Sequence, residues 1–166
     1  MVRFTIEQVF PRPVDEVIAA LLEPAFLECI GDLPNLAPPQ LLDQQRTGHT
    51  VVQRIRYRFT GSLSPAVSRV IDPSKVTWVN ETTFDLGARR ASFQIIPDHY
   101  VHKLRCSGTY VFTQRDPQTT TRCIEGELTV GVPLVGKIVE RAIFSGLEEH
   151  LNAEAALLLE WLEPSG

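Results

Sequence analysis

Cysteine is scarce. Cys29, Cys106 and Cys123 are the only three in 166 residues, and no two of them form a C-x-x-C pair. That excludes a disulfide framework and a zinc knuckle, and leaves reduced, mostly buried thiols as the reading. Also missing is any uncharged apolar stretch near the ~20 residues that a membrane-spanning helix needs. The opening, Met1-Val2-Arg3-Phe4-Thr5-Ile6-Glu7, meets an acid before an apolar run develops, so no signal peptide is read there. An excess of positive charge is lacking too: 16 Lys and Arg stand against 20 Asp and Glu, a net charge of −4, with no global drive toward nucleic acid. No repeat, low-complexity tract or long linker divides the chain. These absences lead us to expect a cytoplasmic protein folded as one domain over 1–166, because two cores would each be small at this length.

What is present is pattern. The 43% hydrophobic and 22% charged residues suit a globular chain. Over 2–10, Val2, Phe4, Ile6, Gln8 and Phe10 alternate with polar residues, as in a half-buried strand. Pro11 and Pro13 end it. Pro13 suits a first helical position, with Asp15 and Glu16 where the helix dipole favours acids. A short amphipathic helix follows through Leu22, then a second over about 24–30, running to Gly31. From about 39 to 131 the chain reads as strands split by turn signals: 40–47, 50–60, 75–84, 88–96, 99–113 and a last one ending near 131. One-sided alternation predicts an antiparallel sheet with one wet and one covered face. After Pro133 the period changes. Val135, Val139, Ile143, Leu147, Leu151, Leu158 and Leu162 recur at helical steps, and some 30 residues make a rod of roughly 45 Å. Such a rod needs a broad partner, and the covered face of the sheet is the one available.

Signatures of chemistry are few. Gly131-x-x-x-x-Gly136-Lys137 has the spacing of a phosphate loop. Ile138, however, stands where a magnesium-binding Ser or Thr is required, and Pro133 removes an N–H donor. His99 and His102, three apart on the expected strand, point to opposite faces and cannot share a metal. His150 and Glu154 could share a helix face, but two ligands without a third make no convincing site. No G-x-S-x-G or H-E-x-x-H occurs, so neither a cofactor nor a metal is implied.

The order is strand, two short helices, about six strands and one long helix. The segments Phe10-Pro11-Arg12-Pro13-Val14-Asp15-Glu16-Val17, Leu21-Leu22-Glu23-Pro24-Ala25-Phe26-Leu27 and Val130-Gly131-Val132-Pro133-Leu134-Val135-Gly136-Lys137-Ile138-Val139-Glu140 accompany it. With these the chain resembles the START-like (SRPBCC) superfamily of birch-pollen-allergen type, in a poorly characterised bacterial branch, over essentially its whole length. The resemblance implies an α+β helix-grip fold: a curved antiparallel sheet of about seven strands wrapped on the long C-terminal helix, with a ligand cavity between them. It implies no catalytic residue.

The polar residues in phase with the apolar ones bear on that cavity. Gln8, Gln53, Tyr57, Asn80, Thr82, His102, Cys106 and Tyr110 all fall on the covered side. Unpaired in a dry core, each would cost about 1–3 kcal/mol. A cavity with a few polar handles accounts for them. Phe59, Trp78, Phe93 and Phe112 would form its walls, and Tyr57, Asn80, His102 and Tyr110 would orient a ligand's polar end. Gln53, Tyr100, Ile143 and Leu147 complete the candidate lining. The opposite face, with Arg54, Arg56, Arg58, Lys75, Arg90, Lys103 and Arg105 against Glu81, Glu125 and Glu127, reads as a solvated sheet surface with cross-strand pairs. The leading expectation is binding or transport of a small hydrophobic molecule (a lipid, isoprenoid or polyketide). The alternatives are a polyketide cyclase or aromatase using His102 or a tyrosine as acid/base, and a co-chaperone-like protein-binding module.

Overall fold

Burial along residues 2–10 alternates as hydropathy does. In the computed structural model, which describes residues 1–30, 33 and 35–163, they form β1 (Val2–Phe10), with Phe4, Ile6, Gln8 and Phe10 buried. The Pro13 carbonyl then accepts from the Glu16 and Val17 amides, and α1 (Val14–Leu21) begins, its buried stripe made of Val14, Val17, Ile18 and Leu21. Pro24 opens α2 (Pro24–Cys29); Gly31, its expected end, lies outside the described residues.

Six strands follow: β2 (Gln40–Thr47), β3 (Thr50–Arg58), β4 (Thr77–Asp85), β5 (Arg90–Pro97), β6 (Leu104–Asp116) and β7 (Thr119–Val130). All neighbouring pairs are antiparallel, in the order β1-β7-β6-β5-β4-β3-β2. The sheet is curved and open, so α1 and α2 lie in the connection between its two edge strands. Between β3 and β4 the chain adds a short helix α3 (Pro65–Ser68), capped by the Ser64 hydroxyl, and a 3-10 turn at Pro73–Lys75. The last element is α4 (Gly136–Leu162). Among the described residues no helix is long and apolar enough to cross a membrane.

Two adjacent glycines let rings lie flat on the sheet. Gly108 on β6 pairs with Gly126 on β7. A Cβ on Gly126 would come within 2.5 Å of the Phe4 ring, and one on Gly108 within 2.7 Å of the Phe93 ring.

The concave face and α4 enclose two apolar clusters. One gathers Phe10, Val17, Phe26, Ile55, Phe84 and Leu158 around α1 and α2. The other gathers Phe4, Ile6, Phe93, Ile124, Leu128 and Val139 near the start of α4. The convex face is solvated and paired across strands, as expected. Arg54 bonds Asp43 at 2.9 Å and Glu81 at 2.8 Å, and Arg56 bonds Asp98 at 3.0 Å.

One expected strand is corrected. Residues 99–103 do not extend β6. Ile95 pairs with Cys106, so the chain must reverse between them; Tyr100 takes a left-handed φ of 59°, and Lys103 N bonds the Tyr100 carbonyl. The break expected between 96 and 99 is a longer turn that takes every residue to 103.

Candidate functional site

The concave face of β7 carries Thr120, Arg122, Ile124, Leu128 and Val130, all buried. Arg122, at the middle of this apolar row, is only 2% exposed. Its Nε donates to Gln8 Oε1 at 2.9 Å, an Nη2 donor reaches the same oxygen, and Nη1 donates to Glu154 Oε1 at 2.7 Å. Gln8 sits directly opposite Arg122 on β1 and passes the chain of bonds on. Its Nε2 donates to the Leu151 carbonyl at 2.7 Å and to Asn152 Oδ1 at 3.2 Å. The guanidinium carbon lies 5.4 Å from the Phe10 ring centre and 5.8 Å from that of Tyr110. An interior cation is tolerable only when paired and hydrogen-bonded, and Gln8 and Glu154 supply both conditions.

Tyr57, Asn80, Tyr110 and His150 extend this polar layer across the interior. Tyr57 stacks on Trp78 at 5.8 Å and meets the His150 ring edge-on at 5.3 Å. Tyr110 stacks on Phe93 at 5.1 Å and packs against both apolar clusters, so the polar layer divides them. Burial, and then the negative Glu154, push the hydroxyls of Tyr57 and Tyr110 far above the ordinary phenol range. Burial lowers the pKa of His150; Arg122 works in the same direction and Glu154 against it. Its imidazole is therefore neutral at pH 7. The Cys106 thiol is pushed up to about 11 by burial.

Two buried polar atoms in this layer have no protein partner: Asn80 Oδ1 and His150 Nδ1. Trp78, Asn80, Ile95, Tyr110, Ile143, Leu147 and His150 all keep partial exposure, although the strand residues face the concave side. On that side α4 packs on β1, β7, α1 and α2, so Trp78, Asn80 and Ile95 stay only partly covered. Two concavities of about 410 and 550 Å³ lie elsewhere. One is on the convex face, bordered by Thr83, Ser92, Ser107 and Thr109; the other is beside Arg56, Arg58 and His99. Both are bordered mostly by polar residues.

Of the residues singled out from sequence, Gln53, Tyr57, Phe93 and Phe112 are buried, with Trp78, Asn80 and Tyr110 half-buried beside them. Gln53 is spent on structure, since its Nε2 donates to Gln44 Oε1 at 2.9 Å and to the Leu21 carbonyl. Phe59 lies just past β3, bridged to Leu36. Ile143 and Leu147 are half-buried and pack against the second cluster. Tyr100 and His102 fall in the corrected turn. His102 is exposed, and the Tyr100 hydroxyl accepts from the Asp72 amide at 2.9 Å. Neither reaches the polar layer.

The central residues missing from the sequence-derived set are Arg122, Glu154 and His150. A signal for them existed. Arg122 shares phase with Thr120, Ile124, Leu128 and Val130, and His150 and Glu154 share the apolar stripe of Leu147, Leu151 and Leu158. A cation and an anion each sitting in an apolar row point to one another.

Among the described residues no group of three or more His, Cys, Asp or Glu is placed to hold a metal. The architecture is a helix-grip fold, a curved antiparallel sheet against one long C-terminal helix. The chain belongs to the family described as "Protein of unknown function (DUF2505)", whose model matches residues 5–162. No curated protein matches the sequence. Similar solved structures include the protein TTHA0849 from Thermus thermophilus, at 19% identity and TM-score 0.68, covering 98% of this chain and 100% of that one. The Zhui aromatase/cyclase from Streptomyces sp. R1128 matches at 13% identity and TM-score 0.69, over 99% and 98%. Norcoclaurine synthase from Thalictrum flavum, solved with dopamine and hydroxybenzaldehyde, matches at 17% identity and TM-score 0.63, over 96% and 87%. At these identities the likeness speaks for the fold.

Proposed function

We propose that the chain acts as one domain that binds a small, largely apolar molecule of the lipid, isoprenoid or polyketide kind between sheet and α4. The observation that supports this most is the pair of buried, unpartnered polar atoms, Asn80 Oδ1 and His150 Nδ1, in a polar layer between two apolar clusters. Each such atom left unpaired costs about 1–3 kcal/mol, and a hydroxyl on the ligand would relieve it. Asn80 Oδ1 can only accept, so the ligand's polar end needs a donor there. Trp78, Phe93, Ile143 and Leu147 would cover the apolar body. The three unpaired cysteines fit a reducing compartment, and we place the protein in the cytoplasm on that ground. Native mass spectrometry of freshly purified protein tests the reading. A co-purifying mass that returns chemically unchanged supports binding. Apo protein that takes up nothing from a broad apolar panel contradicts it.

The neutral, buried His150 favours a second reading, acid/base chemistry on the ligand of the kind the aromatase/cyclase neighbour's name describes. His150→Gln separates the two readings. A carrier loses the share of one hydrogen bond, about 0.5–1.5 kcal/mol of affinity. An enzyme keeps binding and loses ~100-fold or more in turnover.

A further inference from the structure

Three of the exposed large apolar side chains, Val101, Leu134 and Ile138, belong to one pole of the molecule. The turn after β5 and the segment after β7 meet there. Gly131 N donates to the Lys103 carbonyl at 2.7 Å, and Leu104 pairs with Val130. α4 rises from the same place, with Gly136 N bonded to the Val132 carbonyl at 2.9 Å. Leu134 is wholly exposed and holds a φ of 69°; Tyr100, just before Val101, holds 59°. Left-handed backbone is unfavourable for such residues, and Leu134 recovers nothing from packing. What the strain achieves is to thrust apolar tips outward.

Charge follows the same geography. Residues 98–105 and 131–141 contain His99, His102, Lys103, Arg105, Lys137 and Arg141 against Glu140 and Asp98, which pairs with Arg56; Asp72, whose amide bonds the Tyr100 hydroxyl, lies beside them. Glu140 is buried and turned inward, accepting from Val130 N at 3.0 Å. On α4, Lys137, Ile138 and Arg141 share one exposed face. The far end of the 27-residue helix, about 40 Å away, packs on α1 and α2. There Asp15, Glu16, Glu23 and Glu28 are exposed, residues 13–45 hold no lysine or arginine, and Arg89 pairs with Asp15 at 3.6 Å. A net-acidic protein thus has a basic, apolar pole opposite an acidic one.

We propose that this pole docks on a lipid bilayer bearing anionic headgroups. Leu134, Val101 and Ile138 enter the boundary of the acyl region, and Lys103, Lys137 and Arg141 lie among the headgroups. Separate apolar tips flanked by long basic side chains offer no continuous face to a folded partner, but they match a fluid anionic surface. The acidic pole is repelled by that surface and fixes the orientation. Docking brings the second apolar cluster, whose neighbours Val135 and Phe144 lie just behind the tips, toward the bilayer. The inference stands apart from the ligand reading, and failure of one leaves the other intact.

The test is co-sedimentation of the full chain with vesicles of phosphatidylcholine alone or with 30 mol% phosphatidylglycerol, chosen as about a third anionic to give a strong surface potential. Binding at least ~10-fold tighter to the anionic vesicles, lost as NaCl is raised, is expected. Leu134→Asp and the Lys137→Glu/Arg141→Glu pair should each weaken it ~10-fold or more with the thermal midpoint unchanged, whereas Arg46→Glu on the β2–β3 hairpin should leave it as it was. Equal binding to both vesicles, binding to neither, or indifference to Leu134→Asp overturns the proposal. So does a concentration-dependent dimer that Leu134→Asp dissolves without any vesicle binding, which would assign the pole to self-association.

Discussion

Arg122 decides most about the interior, because a cation 2% exposed must be answered by its neighbours. Replacing it with methionine keeps the volume but strands Glu154 and one face of Gln8. We expect Arg122→Met to lose about 3–5 kcal/mol in urea denaturation, and Arg122→Met/Glu154→Leu to regain a good part of it. His150 gives a pH signature. Its pKa is lowered in the fold, so below its ordinary value near 6.5 the unfolded chain takes up the proton more readily than the folded one. Its contribution is therefore complete above 6.5 and declines as pH falls through the folded value, in a window that His150→Phe should flatten. Glu140, held low chiefly by the Val130 N–H, acts in the same direction but only below about 4.5. The thiols rank by burial: Cys29 is exposed and Cys106 is buried with its pKa near 11. A disulfide reagent at pH 8 should modify Cys29 readily and Cys106 only on unfolding.

At the level of elements, α4 completes the core. Without it Phe4, Ile124, Leu128 and Phe10 on the concave face would meet water. A 1–131 fragment should aggregate or lose cooperative unfolding, and a soluble fragment with a sharp transition would contradict this. The Gly108–Gly126 pair should be equally unforgiving: Gly126→Ala drives a methyl into the Phe4 ring and should cost about 1–3 kcal/mol. The elements were largely legible in the sequence because alternation and helical period are local properties. Val51 to Tyr57 and Phe4 to Phe10 announce their buried face residue by residue. The length of the turn at 98–103 was not legible, since Tyr100, His102 and Leu104 happen to alternate in phase with β6. What reverses the chain there is the pairing of β5 with β6, a long-range fact. The site was legible only in part for the same reason: Asn80, Tyr57 and Tyr110 lie on well-patterned strands. Arg122, Glu154 and His150 acquire their meaning from a meeting of β7 with α4 that no single segment displays.

For the whole molecule, a curved sheet and one long helix hold two apolar clusters apart with a polar layer, and that layer is where Asn80 Oδ1 and His150 Nδ1 lack partners. Ligand binding between sheet and α4 is the central claim. The most direct test is a titration of the full chain with a hydrophobic fluorescent probe, alongside Ile143→Trp, which fills that space from the helix side. The account predicts saturation at one probe per wild-type chain, displacement by fatty acids or aromatic polyketides, and loss of binding in a folded Ile143→Trp variant. Absence of saturable binding across a broad apolar panel, or equal binding by the filled variant, would contradict it.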